Sequence, residues 1–372
     1  MFVPKYNLSE AFYSRLGKID EANTYLRQLV FPAERMKQLK DEVIATSVSL
    51  IVRAEDSSVG YGRVARILDA MDTPSPAVDV TERQISRIHS ILEAIRKPLS
   101  SGEIVSESIF HTWYHVMEQR SERCDTKDNE TIGYRISPKE IQENSDKIIY
   151  SAAPHHKLKS LVSDLFDWLK YEAKGVHPIL KGIIAYFQIL IIRPFLKNNG
   201  KLGWFLLLAI LKEHGFDFGE YVSLEKGVFV EREHFHNNIL RLITTTYDSE
   251  NYFSSDFQPY IIYLLPFLEN TVIETRFLLE REHPKVVGEM LKKADLNERK
   301  RRALSYILKE NRITNREYIE LNGIKSRKLA WEELNQMVAN EILRRVGQGR
   351  DVCYTMSSIV TKETIQKHLG NN

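Results

Sequence analysis

Residues 193–204 read "RPFLKNNGKLGW" and interrupt the most apolar stretch of this 372-residue chain. The run "HPILKGIIAYFQILII" precedes the segment and "FLLLAIL" follows it, so both flanks predict buried helices. A Gly/Asn loop with three cations and no acid joins them. The first amides of a new helix lack internal acceptors and carry the positive end of the helix dipole, so the loop is a candidate anion site.

The loop contains residue types that suit an anion site. Asn198, Asn199 and Gly200 tolerate positive φ, which lets neighbouring amides converge on one ligand. Lys197 and Lys201 add positive charge. An alternative interpretation is a plain turn between two helices with solvated lysines, and the spacing alone does not decide between the two.

Composition predicts an ordinary soluble protein of two or three domains. Apolar residues make up 43% and charged residues 27% of the chain, and the formal net charge is +2. Cys124 and Cys353 lie far apart and show no C-x-x-C spacing, which argues against a disulfide framework and a zinc site. The apolar run 179–192 is shorter than the ~20 residues of a membrane span, and the first residues show no signal-peptide pattern. We therefore expect a cytoplasmic protein without membrane contact.

Periodicity predicts helix along most of the chain. Apolar residues recur every three or four positions over 8–52, and similar patterns continue to residue 279. The stretch 121–150 is polar at first and then runs into "DKIIYSAAP" (146–154), a pattern that predicts a short hairpin. Gly175 ends one predicted helix, and Pro178 opens the next at a first-turn position.

The segment "HPILKGIIAYFQILIIRPFLKNNGKLGW" resembles the core of the Fic (Fido) family, a helix followed by H-P-F-x-D/E-G-N-G-R-x-x-R. "GYRIS" (133–137) resembles the family's segment before its flap hairpin. "DKIIYSAAPHHKLKSLVSDLFDWL" resembles the flap and the helix after it, so Ile148, Ile149 and Tyr150 are the implied flap residues. The resemblance implies a mainly α fold: a helical Fic core with a short flap hairpin, plus a C-terminal winged helix-turn-helix domain.

The resemblance also implies an activity, transfer of AMP from ATP to protein hydroxyls, for which this sequence lacks key groups. Arg193 stands at the position of the family's histidine base, and a guanidinium stays protonated and cannot accept the hydroxyl proton. Lys197 stands where the family has the acid that holds magnesium, which needs oxygen ligands. No catalytic residue is therefore intact and no metal site is expected. Four histidines remain as candidate bases: His155, His156, His177 and His214; His177 lies about 24 Å along its helix from the loop and is excluded.

The rest of the motif is partly kept. Asn198 replaces a glycine, whereas Asn199 and Gly200 match. Lys201 replaces the first arginine and keeps its charge without the bidentate fork. Trp204 replaces the second arginine, cannot pair with a phosphate, and could fill the space of the missing groups.

Many members of the family carry an inhibitory helix with an S/T-x-x-x-E-G/N motif, whose glutamate pairs with the second arginine. The corresponding segment here is "IATSVSLIVRAE" (44–55). Four residues after Thr46 and Ser47 stand Leu50 and Ile51, and Ile51 stands four residues before Glu55, so this segment lacks a glutamate at the motif spacing. Its loss agrees with the loss of the arginine, because a buried carboxylate without its cation is costly.

The C-terminal segment resembles a winged helix-turn-helix domain. Thr314 is expected to cap its second helix and Asn322-Gly323 to end that helix. Residues 297–350 hold 13 Lys/Arg against 7 Asp/Glu, a net charge of +6, which indicates a nucleic-acid surface. The candidate DNA-binding residues are Lys325, Ser326, Arg327, Lys328 and Arg350. The alternative is a solvated face on a domain that packs against its own body or another protein.

Together these patterns predict a Fic-fold binding or regulatory protein that is inactive as an AMP transferase; the alternative is an AMP or other phosphate-group transferase with an altered site. No cofactor is assigned, although ATP or another phosphate-bearing ligand without magnesium fits the loop. DNA at the winged helix and a target protein at the flap are the candidate partners, and a homodimer is left open. The predicted domains are 1–100 (N-terminal helices), 101–280 (Fic core), 281–297 (linker), 298–360 (winged helix) and 361–372 (tail).

Overall fold

The computed structural model describes residues 2–54, 56–70, 79–97, 105–118, 133–144, 147–229, 232–248, 250, 252–254, 256–361 and 364–367. Cys124 lies outside these residues. The chain divides into two compact units, Met1–Thr24 with Asp41–Ile273 and Tyr25–Lys40 with Glu274–Asn372. Within the described residues, no helix combines the length and apolarity needed to cross a bilayer.

The first unit is built mainly from helices, as predicted. Two long helices near the N-terminus, α1 and α2, have residues in both units, as does the long helix α11. The helices are α1 (Glu10–Gln28), α2 (Ala33–Arg53), α3 (Tyr61–Asp69), α4 (Val80–Arg96), α5 (Glu107–Glu118), α6 (Leu158–Asp167), α7 (Pro178–Ile192), α8 (Asn199–Glu213), α9 (Glu225–Phe229), α10 (Arg232–Thr246) and α11 (Gln258–Lys293).

Helices α7 and α8 form the buried centre of this unit. His177 and Pro178 start α7, and the His177 side chain accepts a hydrogen bond from the Ile179 amide. The two helices approach closely at two glycines: a Cβ on Gly182 would lie 3.0 Å from a Leu207 side-chain carbon, and one on Gly203 would lie 3.1 Å from the Tyr186 ring. The apolar flanks of the opening loop therefore form one tightly packed helical hairpin, as the sequence predicts.

Two short antiparallel hairpins accompany these helices. Strands β1 (Glu140–Asn144) and β2 (Lys147–Ser151) pair with irregular register, which confirms the predicted hairpin. Strands β3 (Tyr247–Asp248) and β4 (Phe253–Ser254) form a second, two-residue pair that the sequence did not predict. Each of these later strands is too short to show a recognisable alternation.

After the end of α11, the described residues of the second unit include helices and a three-stranded sheet. Its elements are α12 (Glu298–Glu310), β5 (Ile313–Thr314), α13 (Asn315–Asn322), α14 (Arg327–Ala339), β6 (Leu343–Val346) and β7 (Cys353–Met356). The sheet order is β5-β7-β6, with both pairs antiparallel. The predicted caps are present: Thr314 and Glu317 form a reciprocal capping box, and Gly323 ends α13 with φ of +60°.

The unit boundaries do not coincide with the predicted domain bounds, since most of the predicted regions 1–100 and 101–280 falls in one unit. Residues 25–40, predicted as part of the N-terminal helices, belong to the second unit. Helix α11 continues to Lys293 through most of the predicted linker 281–297, because Val287 and Leu291 lie one turn apart and are buried in the core of the second unit.

Candidate functional site

Arg193 ends α7 in a left-handed conformation, with φ of 47°, and its side chain is fixed by the flap hairpin. Its Nε donates to the Tyr150 hydroxyl at 2.9 Å, and that hydroxyl donates to the Leu190 carbonyl at 3.0 Å. Burial raises the pKa of Tyr150 above its ordinary value, which the nearby Arg193 guanidinium opposes. At the position of the family's base the site therefore presents a hydrogen-bond donor held by a protonated tyrosine.

Arg135 joins both ends of the hairpin to the end of α7. This buried guanidinium donates from Nε to the Arg193 carbonyl at 2.8 Å and from Nη1 to the Ser137 carbonyl at 2.8 Å. Its Nη2 donates to the carbonyls of Ala153 and Ile192. Four carbonyl acceptors around one planar fork fix the entry and exit of the flap.

The motif loop is anchored by Phe195 and Asn199. Phe195 is fully buried and stacks on Tyr114 with ring centroids 3.9 Å apart. The Asn199 side chain accepts from the Phe195 amide at 3.0 Å and donates to the Phe195 carbonyl at 2.7 Å. This side chain therefore holds the loop closed, and only its backbone amide is available for an anion.

The other predicted anion-binding residues are spread between solvent and core. Lys197 is exposed, Gly200 is half-buried, and Lys201 is buried. Asn198 starts α8 with φ of 62° and makes no side-chain cap, but its side-chain amide donates to Glu118 at 2.7 Å. No sequence signal marks Glu118. Its carboxylate lies beside the loop and weakens the attraction of the loop for anions.

Trp204 lies in a buried polar cluster. Its indole N–H donates to Glu225 Oε1 at 2.9 Å. Glu225 Oε2 accepts from the hydroxyls of Ser47 and Ser223, at 2.7 and 2.8 Å. Glu225 is 2% exposed, so these three donors satisfy a carboxylate in the protein interior.

The cluster supplies a glutamate where the sequence analysis found none. Segment 44–55 lacks the expected acid, but Ser47 of that segment contacts one from α9. Trp204 takes part as a hydrogen-bond donor, in addition to filling space. No sequence signal marked Glu225, because its partners Trp204 and Ser47 lie 21 and 178 residues away along the chain.

The remaining flap residues lie on β2. Ile148 pairs with Gln142 across the hairpin, and Ile149 follows Ile148 on the same strand. Their backbone positions place the implied flap beside Tyr150 and therefore beside the end of α7. Their side chains lie outside the described part of the structure.

The candidate DNA-binding residues cluster at the start of α14 in the second unit. Lys325, Arg327 and Lys328 are exposed, and Ser326 caps the helix by accepting from the Leu329 amide at 3.1 Å. The backbone of Arg350 lies in a short 3-10 turn before β7, and its side chain lies outside the described residues.

The β6–β7 hairpin adds two cations that the sequence analysis did not single out. Arg344 and Arg345 are exposed on β6, and the Arg344 Nε donates to the Thr355 hydroxyl at 3.0 Å. Their position in the hairpin became clear only from the pairing of β6 with β7.

Comparisons with known proteins agree with this architecture. Residues 79–211 match the Fic/DOC family. A probable protein adenylyltransferase from Aquifex aeolicus is 32% identical over 93 residues, which are 24% of this chain and 29% of that protein. The chain thus spans less than a third of that relative's length.

Solved structures resemble the fold at low sequence identity. A Fic family protein from Desulfovibrio desulfuricans G20 has a TM-score of 0.55 at 16% identity, covering 96% of this chain and 98% of its own. A Fic-domain signaling protein from Bacteroides thetaiotaomicron has 0.55 at 16%, covering 71% of this chain and 94% of its own. Fic-1 from C. elegans has 0.54 at 16%, covering 73% of each. These likenesses show that the chain has the Fic fold, and the segment that matches the Fic/DOC family is residues 79–211.

Proposed function

We propose that this protein does not transfer AMP and that its Fic-fold unit acts by binding. The observation that carries the proposal is the hydrogen bonding of Arg193. Its guanidinium donates to Tyr150, and its carbonyl accepts from Arg135. A general base must offer a lone pair within hydrogen-bond reach of the proton that it takes, and a guanidinium has none.

The donor set does not fit magnesium–ATP. Exposed Lys197 stands where an acidic metal ligand is implied, and an ammonium repels a divalent cation. Trp204 stands where an arginine is implied, and its N–H is used by Glu225. These residues therefore do not support AMP transfer from magnesium–ATP.

A phosphate-bearing ligand bound without magnesium remains part of the proposal. The first-turn amides of α8 receive no cap from the Asn198 side chain, which leaves them available to an anion, while Glu118 opposes its charge. Binding that is weak and insensitive to a metal chelator supports this proposal. Calorimetry without any heat of binding at millimolar phosphate or nucleotide contradicts it.

The test of inactivity is direct. The full chain is incubated with labelled ATP, magnesium and candidate protein acceptors, beside an active Fic-family AMP transferase as the positive control. We expect no protein-linked label above background. Incorporation that disappears when the motif loop is altered, for example in Asn199→Ala, would establish the alternative of an altered transferase.

We also propose that the second unit is a winged helix that binds duplex DNA. The supporting observation is the exposure of Lys325, Arg327 and Lys328 at the start of α14, with Arg344 and Arg345 on the β6–β7 hairpin. A helix with cations in its first turns fits a groove of duplex DNA, and a basic hairpin fits the phosphates that flank the groove. A target protein at the flap or the second unit is the competing proposal. It is favoured if pull-down with the full chain recovers a protein and the chain does not retain DNA.

A further inference from the structure

A cavity of about 500 Å³ lies beside the opposite end of the α7–α8 hairpin from the motif loop. Lys181 of α7 and His214, just after α8, form part of its wall. Lys181 precedes Arg193 by twelve residues, which corresponds to about 18 Å along the helix axis. The cavity is therefore separate from the site described above.

Lys181 is the one charged residue in the sequence of α7, and it is 4% exposed. Its Nζ lies 2.9 Å from His214 Nε2. His214 Nδ1 lies 2.9 Å from the Ile210 carbonyl, which can only accept, so Nδ1 carries the hydrogen and Nε2 is the acceptor. The hydrogen-bond partner of the buried ammonium is thus an imidazole, which supplies no negative charge.

The charge of Lys181 is incompletely compensated inside the protein. Burial lowers the pKa of Lys181, and the attraction of Glu213 only partly opposes this shift. Glu213 is exposed, so water screens its charge. Because a buried cation is costly without an opposite charge, an anion in the cavity would stabilise Lys181.

The rest of the lining favours an anion at the inner end. Lys170 and Lys174 stand exposed at the rim and add positive charge. Asp167 is also exposed, and the Glu107 carboxylate already accepts from the Tyr134 hydroxyl at 2.6 Å. The acids are therefore solvated or engaged, whereas the buried charge is positive.

One wall of the cavity is a π-helical turn, Trp168–Glu172, which follows α6 and supplies Lys170. Such turns are rare and occur frequently at functional sites. The volume of the cavity lies within the range of small-molecule sites, about 300–1,000 Å³. These two observations are independent of the charge of Lys181.

We propose that this cavity binds a small organic anion, whose carboxylate or phosphate group accepts a hydrogen bond from Lys181 Nζ. The lysines at the rim guide the anion inward, and His214 keeps the ammonium aimed at the cavity. The proposal does not depend on the function of the motif loop.

The experiment is calorimetry and thermal unfolding of the full chain with inorganic phosphate, acetate and citrate, each against sodium chloride at equal ionic strength. Lys181→Met removes the charge and keeps the length of the side chain. Lys37→Met is the matched control, since it removes an exposed lysine that neither lines this cavity nor lies in the motif loop. We expect the Lys181 variant to lose at least about tenfold in affinity for the preferred anion while the control keeps it, and a tenfold loss corresponds to about 1.4 kcal/mol.

The choice of probes separates the two anion classes. Preference for citrate or acetate assigns a carboxylate ligand, and preference for inorganic phosphate assigns a phosphate ligand. Equal affinity of Lys181→Met and the unaltered protein, or no binding of any probe at about 10 mM, overturns the proposal.

A second variant covers the case in which Lys181→Met does not fold. Lys170→Met with Lys174→Met changes only exposed side chains of the rim, so its folding should be unaffected. We expect this double variant to bind the preferred anion several-fold more weakly. Unchanged affinity in the double variant overturns the proposal.

Discussion

Arg193 ends α7 at the position where the resemblance implies a histidine base. We predict that Arg193→His alone will not produce AMP transfer. The new imidazole could accept a proton, but without a metal site the developing phosphate charge stays uncompensated. Lys197 would also lower the pKa of that imidazole through like charge.

The measurement is incorporation of labelled AMP by Arg193→His, with the double variant Arg193→His, Lys197→Asp run beside it. Clear activity of the single variant would refute the argument from the metal position. Both variants remove the guanidinium that donates to the Tyr150 hydroxyl. Loss of that hydrogen bond therefore cannot explain a difference in activity between them.

Glu333 supports a prediction of stability in the second unit. Arg299 donates to both carboxylate oxygens, Asn297 donates to Oε1 at 2.7 Å, and Tyr318 donates to Oε2 at 2.9 Å. These hydrogen bonds, led by that of Arg299, lower the pKa of Glu333 from 4.5 to about 2. We expect Glu333→Gln to reduce the free energy of unfolding at pH 7 by about 2–4 kcal/mol.

The pH dependence follows from the sign of that shift. A lowered folded-state pKa contributes stability that is complete above the ordinary value of 4.5 and is lost as the pH falls towards 2. Denaturant unfolding between pH 2 and 7 should therefore show a flatter profile for Glu333→Gln. Its exposed neighbour is the control: Glu332→Gln, whose partner Lys328 is 3.8 Å away, should change stability by less than about 0.5 kcal/mol.

At the scale of single residues, the sequence predicted identities better than contacts. The substitutions at Arg193, Lys197 and Trp204 can be recognised from the motif alone. Their hydrogen-bond partners could not, because Tyr150 reaches Arg193 and Glu225 reaches Trp204 through tertiary packing. A hydrogen bond between α8 and α9 does not change the apolar periodicity of either segment, so the sequence does not reveal it.

The elements of the first unit are held by close approaches between helices, and Gly227 of α9 tests one of them. A Cβ at this position would lie 2.2 Å from Thr271 Oγ1 and 2.7 Å from the Phe267 carbonyl of α11. Thr271 can rotate, but a backbone carbonyl cannot move without shifting its helix. We expect Gly227→Ala to destabilise the protein by about 1–3 kcal/mol.

Gly17 provides the control for the intrinsic preference of alanine for helix. It lies in α1, and a Cβ there would meet no atom within 4 Å. Gly17→Ala should leave stability unchanged or raise it by about 0.5–1 kcal/mol. Thermal unfolding of both variants makes the comparison, and a stabilised Gly227→Ala would contradict the close approach.

Elements set by local signals were predictable, and elements set by distant contacts were not. The Thr314 cap, the Gly323 end of α13 and the first hairpin depend on residues close in sequence. By contrast, the π turn 168–172 and the β3–β4 pair have no local signature. The segment "EREHPKVVGEMLKKADLNERKRR" (280–302) is typical of a charged connecting helix and linker, and α11 does continue into it, but the burial of Val287 and Leu291 was not predicted, because charged residues surround them in the sequence.

At the scale of the whole molecule, charge is divided unevenly along the chain. Residues 297–350 carry a net charge of +6, whereas the entire chain carries +2, so the remainder carries −4. This division was visible in the sequence. The structure adds the exposure of Arg344 and Arg345 beside the cations that start α14.

We predict that the full chain binds duplex DNA with an affinity that falls steeply with salt, since each phosphate contact contributes roughly one unit to the slope of log K against log salt. Arg350→Ala should weaken all duplexes alike and reduce that slope. Arg327→Ala should cost about 1–3 kcal/mol on a preferred duplex selected from a random pool, and less on others. Fluorescence anisotropy over a salt series measures both, with Arg53→Ala, an exposed arginine of the first unit, as the control. Because electrostatic affinity rises as salt falls, absence of binding at about 50 mM salt could not be attributed to screening and would assign this basic surface to protein contacts.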